Sequence, residues 1–333
     1  MSPALDIFAC TVCHADVPDP GAAPWSCGQC GADYPSGEVP VLIPLGDIDW
    51  AKEAHVHRRA ANEEYRSRLE KNDVWWVDSS EYRALLNRHD WRSYRSPILD
   101  YVARRYRGPV VVDAGGGDGW FLKRAMERVP GMRGVLLDLS DVIVHSGMQR
   151  NRLEAGTGVS ASLEHLPLRP DSVDVVVSIE VMEHVHNPAE VFASVWRALK
   201  PGGSFILTTP NPASYALWFE EGKFPGLWAG IRSAVRGRVP EQQSEVRMVR
   251  GVLERYLTPR ELVDMGRAAG FGRVKHRSVG IGLAPMPYYL AEYRRWPLWA
   301  LGHYSRVAIP LERWLVCPPW LPWGKVQRVT CIK

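Results

Sequence analysis

The chain has 333 residues, a net charge of +4, 46% hydrophobic and 23% charged residues. These are the proportions of an ordinary globular protein of one large or two modest domains. They supply no overall basic footprint for a nucleic-acid or membrane surface, and no run of about 18 apolar residues marks a transmembrane span. The N-terminal MSPALDIFAC lacks a charged-then-apolar leader, so a cytoplasmic location is expected.

The first motif is Cys10-x2-Cys13 followed, 13 residues later, by Cys27-x2-Cys30. Each pair forms a tight knuckle that presents two thiolates to one ion, and four thiolates close a tetrahedral structural zinc site. Gly28 and Gly31 suit the second knuckle, and His14 is surplus once four thiolates are counted. Residues 1–45 are therefore read as a zinc ribbon, too short to fold without its ion. Cys317 and Cys331 are isolated, and the whole pattern fits a reducing cytosol better than a disulfide framework.

Residues 46–97 read as a helical, aromatic N-terminal cap. The charged stretch 50–72 is helix-forming, and His55 and His57, two apart, face different sides and are expected to be solvated. Trp75, Trp76, Trp91, Tyr82, Tyr94 and Tyr101 are expected to pack over the glycine-rich turn that follows. That turn is the centre of the chain. An apolar run, Val110 to Val112, stops at Asp113; Gly115, Gly116, Gly117 and Gly119 follow; then Phe121, Leu122 and Ala125 start a helical stripe. Strand, tight turn and helix start leave bare main chain and unpaired N–H groups facing a ligand.

The D-x-G-x-G-x-G string resembles motif I of the class I S-adenosylmethionine (SAM) methyltransferases, of the type 11/12-like kind. The resemblance implies a Rossmann-like α/β fold with a seven-stranded doubly wound sheet whose last strand is antiparallel. It also implies that Asp113, Gly115, Gly116 and Gly117 pass the methionine end of SAM. Asp138, closing the strand Gly134–Leu137 and standing 25 residues past Asp113, is then the acid for the ribose hydroxyls, with Leu139 beside it. Family members place an Asp for the adenine amino group where this chain has Ser162, next to Leu163; a hydroxyl accepts there without charge. Leu166-Pro167-Leu168, the run Val175–Ile179 and the LKPGG turn at 199–203 carry the resemblance across the far half of the sheet. The YPSGEVPVLI that follows the second CxxC resembles the end of ribbons fused to bacterial methyltransferases, and such ribbons precede certain ribosomal RNA guanine methyltransferases.

The end of the fourth strand carries Glu180, Glu183 and His184 in E-x-x-E-H spacing. The same spacing occurs in ubiquinone-pathway O-methyltransferases and in small-RNA 2′-O-methyltransferases, where it holds a metal. Three readings stay open: a Mg2+ or other divalent ion on all three residues, metal-free catalysis with His184 as base and Glu180 beside it, or a structural role. Asn187-Pro188 suits a helix start, with Asn as N-cap, and Thr258-Pro259-Arg260-Glu261 is a capping box. The methyltransferase domain, 98–333, is interrupted by insertions at 210–257 and 281–323, both rich in aromatics and arginine. Five of the 14 tryptophans lie between Trp296 and Trp323. These insertions, with 46–97, are expected to define the acceptor: 210–257 lies over the substrate pocket, and 281–323 acts as a packed wall, a greasy channel or a peripheral membrane contact.

The function expected is O-methylation of a small-molecule or lipid-like acceptor, such as a secondary metabolite, glycoside or quinone. Ribosomal RNA base methylation is the alternative, weakened by the absence of a basic stripe near the ribbon. A non-catalytic binding protein of the same fold is the third reading, favoured by Ser162 and disfavoured by Asp113, the glycines and Asp138.

Overall fold

The computed structural model describes residues 7–17, 24–70, 91–154, 157–212, 246–249, 252–279, 306–307 and 326–333. The ribbon holds a minimal hairpin, β1 (Trp25–Ser26) and β2 (Asp33–Tyr34), and is followed by helix α1 (Asp49–Glu70). A short π-helical turn, Trp91–Arg95, leads into α2 (Ser96–Arg105). The strand-helix alternation then runs β3 (Val110–Ala114), α3 (Trp120–Arg128), β4 (Arg133–Asp138), α4 (Asp141–Asn151), β5 (Gly158–Ser160), β6 (Val173–Ile179), a 3-10 turn (Met182–His184), α5 (Pro188–Ala198) and β7 (Leu199–Pro210). A hairpin, β8 (Val246–Val249) and β9 (Val252–Arg255), precedes α6 (Pro259–Ala268), β10 (Arg273–Val279) and β11 (Val326–Ile332).

Seven strands form one sheet in the order β10-β11-β7-β6-β3-β4-β5. β3 to β7 run parallel, and β11 lies antiparallel between β7 and β10. The valine-rich strands follow from burial on both faces. Val110, Val112, Val135, Leu137, Phe205 and Leu207 point to one side, where α5 and α6 bring Val191, Phe192, Val195 and Leu262. Val111, Leu136, Val175, Val177 and Ile206 point to the other, under Ile98, Leu99 and Val102 of α2, Phe121 and Leu122 of α3, and Ile143 of α4. The capping box at α6 is formed in full, with both the Thr258 hydroxyl and the Glu261 carboxylate engaged. Asn187 stands at the N-cap of α5, but its side chain makes no capping bond. Its backbone N–H instead donates to Glu164 Oε1 at 2.7 Å, so a distant carboxylate anchors this helix start.

The ribbon is pinned to the sheet's outer edge. Val41 bridges Ser160 in parallel and Phe8 bridges Leu168 in antiparallel fashion. Ser160 N donates to Pro40 O and Leu42 N to Ser160 O, each at 2.8 Å, which covers the open edge of β5. Ile7, Phe8 and Leu42 are buried in the main core. Among the described residues no helix is long and apolar enough to cross a membrane. The readings placed on Trp75, Trp76 and Tyr82, on most of 210–257 and on nearly all of 281–323 lie outside the described residues.

Candidate active site

β3 and β6 are neighbours, yet the chain leaves β3 for β4 and β5 before it returns to β6 and β7. Their carboxyl ends therefore open at a topological switch point, where doubly wound sheets bind ligands. Gly115 and Gly117 adopt φ of 75° and 53°. The N–H groups of Gly115 and Gly116 both donate to Leu137 O, at 2.7 and 3.1 Å, which fastens the turn to the end of β4. Gly116 has no room for a side chain: a Cβ there would lie 2.7 Å or less from the Asp113 carboxyl and from Leu136.

Asp138 meets the same turn. Its Oδ2 accepts from Gly117 N at 3.0 Å and its Oδ1 from Ser140 N at 3.1 Å. Burial pushes its carboxyl up, against these two backbone bonds. Ser140 also caps α4 by accepting from Ile143 N. Asp113 is 2% exposed and its Oδ2 has no hydrogen-bond partner. Burial pushes its carboxyl up to about 7; Arg95 opposes that shift, and the Asp118 and Asp138 charges add to it. A buried carboxylate oxygen without a partner, beside bare main chain, suits a cationic ligand. Ser162 and Leu163 are buried, and Ala161 N donates to Asp138 O at 2.9 Å, which sets them beside the acid. The Ser162 hydroxyl accepts from Glu164 N at 3.3 Å.

α1 contributes residues to this rim that its charged sequence does not betray. Asn62, 8% exposed, donates to Asp141 Oδ1 and accepts from Ser140 Oγ, both at 2.7 Å. Arg58 Nε reaches the same Asp141 oxygen at 2.9 Å. Burial, and then the Asp138 charge, push the Tyr65 phenol up. His55 is half-buried and its Nε2 meets Pro44 O, while His57 packs at a tilt against His186. His55 thus departs from the solvated state expected of it, while His57 keeps solvent access at a side-chain exposure of 40%. The aromatic cap is met in part: Trp91 packs edge-on against Trp120, the first residue of α3.

At the end of β6, Glu180 holds a left-handed φ of 56°, an uncommon conformation for a residue with a side chain. Val181 packs on the glycine turn, since a Cβ at Gly115 would lie 2.5 Å from its Cγ2. Glu183 is 5% exposed and its Oε2 accepts from Thr209 Oγ1 at 2.9 Å, whereas His184 is exposed. The E-x-x-E-H residues therefore share a turn without converging. Among the described residues, the groups whose ligand atoms all lie within 4.8 Å are the four cysteines and Glu53–His57–His186, not Glu180–Glu183–His184. The 3-10 turn explains this, because Glu183 is turned inward to β7 while its neighbour faces out. β9 of the inserted hairpin runs beside this turn.

In the ribbon, Cys10 Sγ lies 3.7 Å from Cys30 Sγ, and Cys13 Sγ 3.6 Å from Cys27 Sγ. A tetrahedral ion with Zn–S bonds of about 2.3 Å sets sulfurs about 3.8 Å apart, so the four thiols fit it. His14 occupies in the first knuckle the left-handed position that Gly31 occupies in the second, with φ of 61° and 72°. Its Nε2 faces Arg197 at 3.3 Å, outside the ligand set.

Residues 112–207 match the family described as "Methyltransferase domain". The chain is 30% identical over 212 residues to a ubiquinone biosynthesis O-methyltransferase of Cupriavidus pinatubonensis, covering 62% of this chain and 75% of that protein. The chain belongs to the class I SAM-dependent methyltransferases. A ubiquinone biosynthesis O-methyltransferase of Neisseria meningitidis is 32% identical over 153 residues, 43% of this methyltransferase chain; the chain spans 60% of that relative's length. A solved SAM-dependent methyltransferase from Mesorhizobium loti aligns with 74% of this chain and 98% of its own, at 21% identity and a TM-score of 0.44. In this methyltransferase, Asn62 and Val181 pack around the switch point and Arg95 and Tyr65 act electrostatically on or with its buried acids, none of which sequence reasoning singled out. Only a buried polar residue in mid-helix, Asn62, carries even a weak local signal.

Proposed function

We propose that this methyltransferase transfers the SAM methyl group to a hydroxyl oxygen of a small, largely apolar acceptor, such as a phenol or quinol. The observation that carries the proposal is the packing of Val181 on Gly115, which brings the glycine turn and the 180–184 turn together at the switch point. The O-methyltransferase names of the Cupriavidus and Neisseria relatives support oxygen as the target.

When bound, SAM supplies an electrophilic sulfonium methyl. Asp113 and Gly115 to Gly117 would hold its methionine end, Asp138 its ribose hydroxyls, and Leu139, Ser162 and Leu163 its base. Tyr65 and the rest of α1 shield that end from water. His184, exposed on the turn after β6, takes the proton from the acceptor hydroxyl, and Glu180 is the second group placed to do so. Positioning supplies much of the remaining rate. The non-convergence of Glu180, Glu183 and His184 favours this metal-free course over a Mg2+ site on those three. The ribbon holds Zn2+ on Cys10, Cys13, Cys27 and Cys30, which suits a reducing cytosol, and pins the edge strand in place. No nucleic-acid or membrane partner is required.

The test is incubation with SAM and a panel of phenols, catechols and glycosides, read by mass spectrometry for the methylated atom. Oxygen methylation is expected, with a loss of about 10²–10⁴-fold in kcat for His184→Ala and no loss of kcat at saturating SAM on mild chelation. Methylation of RNA or of nitrogen, or a fully active His184→Ala, would overturn the proposal.

A further inference from the structure

We propose that Glu53, His57 and His186 bind a divalent transition-metal ion that clamps α1 onto the loop after β6. Glu53 and His57 stand four apart on α1, so one helical turn presents both on the same side. His186 lies just before Pro188, the first residue of α5. Glu53 Oε1 is 3.7 Å from His57 Nε2 and 3.6 Å from His186 Nδ1. The two imidazole centroids are 4.3 Å apart, and the ligand atoms of all three residues lie within 4.8 Å of one another. A tetrahedral ion with N and O bonds of about 2.0–2.2 Å separates its ligand atoms by about 3.4 Å. The two carboxylate-to-imidazole edges are within a few tenths of an ångström of that.

A divalent ion accepts both neutral rings and balances the carboxylate between them. Two imidazole nitrogens with one carboxylate oxygen suit Zn2+, Co2+, Ni2+ or Fe2+ rather than Mg2+ or Ca2+. All three side chains keep solvent access, with side-chain exposures of 40–58%. An ion can therefore reach them, and water completes its shell.

The consequence is mechanical. α1 is already tied to the β4 side of the switch point through Arg58 and Asn62 on Asp141. The ion ties the same helix to the β6 side through His186, so α1 becomes a strap anchored on both flanks of the cleft. This second step rests on the donor site described above: a clamped α1 holds Tyr65 over it and tightens SAM binding severalfold.

The experiment is a Co2+ titration, at micromolar concentration, of full-length protein whose ribbon is zinc-loaded, with SAM affinity measured by calorimetry with and without the added ion. One further equivalent is expected, showing d–d absorption without the sulfur-to-cobalt charge-transfer band of thiolate ligands, together with severalfold tighter SAM binding. His186→Ala and Glu53→Gln should lose that equivalent and the tightening while retaining ribbon zinc. Absence of a further equivalent, or its persistence in both variants, overturns the metal site. Metal uptake with unchanged SAM affinity overturns the clamp. Metal uptake by a protein that binds no SAM at all leaves the metal site standing and overturns the donor site instead.

Discussion

Gly115→Ala tests whether the glycine turn and the turn after β6 form one packed unit. Two independent costs are readable at this position. The backbone φ is 75°, a left-handed conformation that costs a residue with a Cβ about 1–2 kcal/mol. The new methyl would also lie 2.5 and 2.6 Å from the two Val181 methyls and 3.1 Å from Val181 Cβ. Overpacking of that kind costs about 1–3 kcal/mol. The variant should therefore lose about 2–5 kcal/mol in urea unfolding at constant m-value, with weaker SAM binding by calorimetry. The double-mutant cycle separates the two terms. In a Val181→Ala background both offending methyls are gone, so the cost of Gly115→Ala should fall to the backbone share, about 1–2 kcal/mol. A Gly115→Ala protein within about 0.5 kcal/mol of wild type would refute the reasoning. So would a cost that is the same in the Val181→Ala background.

Asp113 makes the donor-free protein sensitive to pH. Its native carboxyl lies at about 7 against an ordinary 3.8, so its stabilising contribution is complete below about pH 4 and is lost as pH rises through about 7. The melting temperature should fall over that window, and Asp113→Asn should flatten the profile; an unchanged slope in the variant would count against the buried acid as its source. Stripping zinc with a strong chelator under reducing conditions should release one ion per chain and loosen Ile7 and Phe8 from the sheet edge. That loss is about 3–6 kcal/mol, and an unaltered melting curve after verified release would refute it. Asn62→Ala should cost about 2–4 kcal/mol, because it removes two buried bonds, one of them to a carboxylate. Amide exchange in α1 should speed up with it, and wild-type protection would show that Asn62 does not hold this helix.

Much of the candidate site was legible because the turn chemistry is local. Asp113, the glycines and Asp138 sit where strands end, and both ends are marked by a change from apolar run to polar punctuation. The four clustered thiols were equally plain, since a CxxC knuckle is defined within four consecutive residues. The E-x-x-E-H spacing was legible too, but not its geometry: a 3-10 turn sends Glu183 inward to Thr209 and leaves His184 outside. Asn187 shows the same limit, as its sequence suits a cap while the bond that forms comes from its main chain to Glu164.

From sequence alone came the strand-helix alternation, the glycine turn after β3, the acid that ends β4 and the four thiols, all set by neighbours a few residues apart. Only the folded structure decided that α1 lies along the cleft, that the ribbon closes the edge of β5, and that Glu53, His57 and His186 meet. Those contacts join segments far apart in the chain, for example Asn62 to Asp141 and His57 to His186. Hydrophobic period and capping preference report a residue's own element, whereas such a contact depends on which elements the sheet order brings together.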